Sequence, residues 1–159
     1  MAREENIAAQ EKFGEAINSG NLDLIDEVVA TDSVDHDPAP DQEQGPEGFK
    51  QFFGMMRTAF PDFEVSVEHM VADDDNVAIA YTVTGTHEGD FLGVAPTGNR
   101  ISVRGCQIGR FRDGMLVERW GSSDELGIFQ QLGAEPQTGG QEQQDKGLVD
   151  KAKDKLSGR

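Results

Sequence analysis

Asp113-Gly114 stands between two long alternating runs, Ile101 to Arg112 and Met115 to Gly121. No other local signal constrains the fold of this chain as tightly. A two-residue hairpin needs positive φ at its centre, which Asp-Gly tolerates, so the runs are predicted to be antiparallel neighbours. Upstream, Phe63, Val65 and Val67 alternate with polar residues. Val77, Ile79, Tyr81 and Val83 do the same after the acidic turn Asp73-Asp74-Asp75-Asn76. A sheet of about four strands follows.

Before Pro61 the apolar period is helical. Ala9, Phe13, Ala16 and Ile17 share one face between Glu4 and Asn18, and Ser19-Gly20-Asn21 ends that helix. Leu22, Ile25 and Val29 suggest a second. Thr31 to Pro46, rich in proline and acid, reads as a loop. Gly45-Pro46-Glu47 opens a third helix with Phe49, Phe52, Phe53 and Met56 at i, i+3, i+4 and i+7. After the hairpin, Ser122-x-x-Glu125 reads as a capping box for a short helix through Leu126, Phe129 and Leu132, ended by Gly133. This order indicates an α+β fold: three N-terminal helices packed on a strongly curved antiparallel sheet, with a closing C-terminal helix. Such a cone has a mouth that admits a small molecule. Residues 1–135 form this domain, and 136–159 read as a flexible polar tail with at most weak helical character.

The net charge of −16 repels phosphate backbones, so nucleic acid is not expected as a partner. No apolar run reaches the roughly 18–20 residues that a membrane span needs. Met1-Ala2-Arg3-Glu4-Glu5 has neither the basic start nor the apolar core of a secretory signal. The lone Cys106 allows no internal disulfide, and a cytoplasmic location is expected.

The hairpin also predicts which residues share a face. With a two-residue turn, Phe111 faces Leu116, Gly109 faces Glu118, Gln107 faces Trp120, and Val103 lies level with Asp124. One face then carries Val103, Gln107, Phe111, Leu116, Trp120 and Asp124 as the lining of an apolar pocket. The other carries Arg104, Arg110, Arg112 and Arg119. The Phe49 to Met56 stripe reads as core, with Phe53 also placed among ligand-contacting residues. Asp35-His36-Asp37 tempts a metal reading, but adjacent residues rarely converge on one centre, and no metal is expected.

Several segments resemble the SnoaL-like polyketide cyclase (ester cyclase) family, within the cone-shaped fold of nuclear transport factor two and ketosteroid isomerase. They are Val34-Asp35-His36-Asp37-Pro38, Thr58-Ala59-Phe60-Pro61-Asp62, Gly85 to Gly93, Ala95-Pro96-Thr97-Gly98-Asn99, Phe111-Arg112-Asp113-Gly114, Glu118-Arg119-Trp120, Asp124 and Gln131-Leu132-Gly133. The resemblance implies a cofactor-free, metal-free intramolecular aldol condensation on a polyketide ester. It implies Asp124 as general acid/base, with His36 and Trp120 as further pocket groups. It also implies a homodimer formed through the exposed sheet face. The expected ligand is a small, hydrophobic, carbonyl-bearing molecule. A non-catalytic binding protein of the same fold is the competing reading. Isomerisation, dehydration and epoxide hydrolysis are alternatives in the same pocket.

Overall fold

The computed structural model describes residues 1–136. Helix α1 spans Ala2–Ser19 and stops where Gly20 takes φ 77°. A 3-10 turn follows over Leu22–Glu27. Strand β1 is Val29–Asp35, helix α2 is Pro46–Ala59, and strands β2 to β5 are Glu64–Ala72, Asn76–Thr86, Arg100–Arg112 and Met115–Ser123. Helix α3, Glu125–Leu132, ends at Gly133 with φ 70°. Proline at the first turn of α2 costs nothing, because the N–H it lacks would have no partner there.

The sheet has five strands in the order β1-β5-β4-β3-β2. The α+β expectation holds, with two corrections. The stretch from Thr31 contains a strand, and β1 pairs parallel with β5, so the sheet is mixed. The second helix is only a 3-10 turn, and Val29 belongs to β1. Helices cover one face of the sheet, and the core between the layers holds Phe13, Ile17, Ile25, Phe49, Met56, Phe60, Ile101, Val103 and Ile128.

The hairpin turn forms at Asp113-Gly114, where both residues have positive φ. Arg112 pairs with Met115 and Phe111 with Leu116, as predicted. A β-bulge then intervenes: Arg110 pairs with Glu118, Gly109 with Arg119, Ile108 with Trp120 and Gln107 with Gly121. Val117 is the extra residue. One inserted residue exchanges the faces of everything beyond it. Arg119 is thereby turned inward and Trp120 outward, the reverse of the expected arrangement. Strand β5 also runs on through Ser122 and Ser123, so the expected capping box does not form and Asp124 caps α3 instead.

Candidate active site

The helices and the inner sheet face enclose a cavity of about 690 Å³. Its wall is mainly apolar, with Phe13, Phe52, Phe53, Phe63, Val103 and Ile128 among the lining residues. Tyr81, Gln107 and Arg119 supply polar groups from the sheet. A side chamber of about 380 Å³ shares Phe52, Phe53, Arg119 and Glu125 with it, and adds Asp35, Asp37 and Gln42.

The polar end is built around Arg119. Its Nη1 donates to both oxygens of Asp35, at 2.9 and 3.2 Å. Its Nε donates to Gln107 Oε1 at 2.8 Å. Asp35 is 4% exposed and also accepts from Gln42 Nε2 at 3.1 Å and from the backbone N–H of Asp37 at 3.0 Å. Gln44 clamps the Asp35 backbone from both sides, accepting from its N–H at 2.7 Å and donating to its carbonyl at 3.2 Å. A buried carboxylate is tolerable only when paired and hydrogen-bonded in this way.

These contacts decide how Gln107 is oriented. A guanidinium carries only donors, so the amide must turn its oxygen to Arg119. Its NH2 is left as a fixed donor on the cavity wall, although the residue is only 8% exposed. Tyr81 lies beside Arg119. Burial pushes its phenol pKa up, and the guanidinium opposes this more weakly. The arrangement suits an acceptor oxygen that gains negative charge during a reaction.

Of the residues expected at the pocket, Gln107, Val103 and Phe53 line the cavity. Phe111 is 5% exposed and packs in the core rather than against the cavity. Trp120 is 37% exposed on the outer face, where its ring stacks on His36 at 4.7 Å. His36 Nε2 hydrogen-bonds Glu118 at 3.1 Å on that same side. The bulge in β5 is the reason Trp120 sits outside, and His36 meets it there because it directly follows the inward Asp35 at the end of β1. Glu118 is held below the usual carboxylate range, chiefly by Arg110 and next by His36. Asp124 is exposed, and its Oδ1 accepts from the Gly127 N–H at 2.8 Å. Its neighbours Ser123 and Glu125 line the cavity.

Asp35, Arg119 and Tyr81 were not expected there. Tyr81 shares the apolar phase of β3, which was a usable signal. Asp35 and Arg119 carried none, because one lies in a strand that reads as loop and the other is turned inward by a bulge. Among the described residues, no group of three His, Cys, Asp or Glu side chains could hold a metal ion, and no helix is long and apolar enough to cross a membrane.

Comparison with known proteins agrees with this architecture. TsrD from Streptomyces laurentii superimposes with a TM-score of 0.77 at 27% identity, covering 84% of this chain and 98% of that one. IdmH from Streptomyces antibioticus gives 0.72 at 31% identity, with 81% and 99% covered. Among curated proteins, the aklanonic acid methyl ester cyclase DnrD of Streptomyces peucetius is 27% identical over 126 residues, 75% of this chain and 84% of the relative. The sequence pattern of the SnoaL-like polyketide cyclases matches residues 7–132, which takes in every element from α1 to α3 that shapes the cavity. The chain therefore belongs to the SnoaL-like polyketide cyclase family.

Proposed function

We propose that this chain is a cofactor-free cyclase-type enzyme that closes a ring on a small, hydrophobic, carbonyl-bearing, polyketide-like substrate by intramolecular aldol chemistry. The observation that carries the reading is the Gln107 amide, held by Arg119 with its NH2 on an otherwise mainly apolar wall. A methylene between two carbonyls gives its proton to a carboxylate. The C–H electron pair moves onto carbonyl oxygen, where the donors receive it. The enolate carbon then attacks a second carbonyl of the same molecule, and the resulting alkoxide takes up a proton. No oxidant or reductant is consumed.

Asp124 is the carboxylate we assign to proton transfer, following the resemblance. Its Oδ1 caps the Gly127 N–H, which leaves Oδ2 to take the proton. Glu125 is the second reading, favoured by its place on the cavity wall. Asn caps helices about as well as Asp, so Asp124→Asn is expected to leave stability nearly unchanged. With a β-dicarbonyl polyketide ester as substrate, the same change is expected to lower kcat by roughly two to four orders of magnitude, as loss of acid/base catalysis does. If Asp124→Asn stays active while Glu125→Gln does not, the role passes to Glu125. Full activity in both variants removes these two carboxylates from the acid/base role, and a wild type that binds the ester without turning it over leaves a binding protein.

The same proposal includes a homodimer through the outer sheet face, where Ile108 is 47% exposed, Val71 56% and Trp120 37%. Placing a charge at the centre of that face, with Ile108→Asp, is expected to convert a dimer to a monomer in sedimentation equilibrium. A wild-type protein that is monomeric at every concentration would remove this part.

A further inference from the structure

We propose that Tyr81 is the hydrogen-bond donor that receives the substrate's developing oxyanion, and that Gly105 is the positioning residue that lets it reach there. The proposal rests on the cyclase reading above and deepens it. Tyr81 on β3 stands directly opposite Gly105 on β4. A Cβ built on Gly105 would lie 2.5 Å from Tyr81 Cζ and 2.6 Å from its hydroxyl oxygen. The end of the phenol therefore lies across the bare face of that glycine.

A second gap mirrors the first. Gly121 on β5 is opposite Gln107, and a Cβ there would lie 2.5 Å from Arg119 Nη2. Two missing side chains on the inner sheet face thus make room for a phenol and a guanidinium, with Gln107 between them. Three polar groups meet at one end of the cavity because those two positions are empty.

The chemistry at that point follows from what each group can do. Arg119 has donors only, so toward Arg119 the phenol oxygen can act only as acceptor. Its own hydrogen is left for a ligand in the cavity. Burial keeps the phenol protonated at neutral pH, with its pKa above the usual value despite the guanidinium. When the substrate's C–H proton passes to the carboxylate, the electron pair arrives on carbonyl oxygen. Tyr81 keeps its O–H bond and tightens a hydrogen bond to that oxygen, so nothing further is consumed.

The test uses 1,8-dihydroxyanthraquinone, a fused-ring hydroxyketone whose colour reports its ionisation. Its absorbance is titrated with pH in the presence of excess wild-type protein, Tyr81→Phe and Gly105→Ala. Tyr81 is the only tyrosine, so its own ultraviolet titration reads its surroundings in the wild type and in Gly105→Ala. In Tyr81→Phe the neutral dye should bind about as tightly as to wild type. Its bound ionisation should become roughly tenfold less favourable, a rise of about one pKa unit. Gly105→Ala should reproduce that rise and move the Tyr81 titration. A purely structural role would alter stability without this split between affinity and ionisation.

Bound ionisation unchanged in Tyr81→Phe overturns the proposal and leaves the cyclase reading standing. No binding of the dye to wild type removes the fused-ring carbonyl ligand, and the Tyr81 role with it. Should Gly105→Ala fail to fold, Tyr81→Phe alone decides, because it removes one oxygen and keeps the ring.

Discussion

Replacing Arg119 by methionine is expected to destabilise the protein by roughly 3–5 kcal/mol, the usual cost of removing one partner of a buried ion pair. The Arg119 side chain is 17% exposed and the Asp35 side chain 2%, so water cannot take over the lost bonds to the carboxylate. Gln42 and the Asp37 N–H remain on Asp35, which places the loss nearer the lower bound. Urea denaturation would show it as a lower midpoint with an unchanged slope. The double variant Asp35→Leu/Arg119→Met should recover most of the loss, since an apolar pair of similar volume carries no buried charge. A loss below about 1 kcal/mol in the single variant would mean the pair behaves as a solvated one.

Arg119→Lys separates stability from function. Lysine keeps the charge for Asp35 but is a point donor without the planar fork that reaches Gln107 as well. Gln107 would then be free to turn its amide, and the fixed donor on the cavity wall would be lost. Stability close to wild type with weakened binding of a carbonyl ligand is the expected result.

Much of the fold was legible because its signals are local. The Phe49 to Met56 stripe, the alternation from Val77 to Val83 and the Asp-Gly turn each depend on neighbouring residues only. Strand β1 was not legible, and the reason is physical. Its inward residues include Ser33 and Asp35. Among the described residues, the buried Ser33 hydroxyl has no hydrogen-bond partner, and the Asp35 charge is matched only by the distant Arg119. Arg119 lies 84 residues from Asp35 along the chain, so no window shows that pairing.

The site divides along the same line. Gln107 and Val103 follow from the parity of β4, and Phe53 from the helical stripe, and all three line the cavity. Trp120 and Arg119 depend on the register of β5 beyond Leu116. A single unpaired residue, Val117, reverses that register. Strict alternation is already lost here, because Met115, Leu116 and Val117 are three apolar residues in a row, but such a run does not say which residue is left unpaired. The bulge is what brings a cation to the cavity and turns the only tryptophan outward. Parity along β4 puts Gln107 and Val103 on the inner face, and the bulge in β5 decides that Arg119 rather than Trp120 joins them.

Phe60→Ala is the second large effect, and it reaches the cavity from behind. Phe60 has no exposed surface, and its ring lies 5.4 Å from both His87 and Phe91. Phe91 in turn packs on Phe129 of α3 at 5.6 Å and lines the cavity. Truncating a buried phenylalanine costs roughly 3–5 kcal/mol through lost burial and the void left behind. Gly85 lies so close that a Cβ there would be 2.9 Å from Phe60 Cβ, so the backbone is already against this side chain and has little room to collapse further. One feature works the other way. His87 Nε2 is buried without a hydrogen-bond partner, and the new void would admit water to it. That compensation places the expected loss near 3 kcal/mol, or a Tm lower by roughly 6–12 °C for a chain of this size. Phe60→Leu, which fills most of the void and keeps water out, should cost about half as much. Calorimetry on both variants would check the order. A leucine variant less stable than the alanine one would show that hydrating His87 outweighs the packing of the whole Phe60, Phe91 and Phe129 layer.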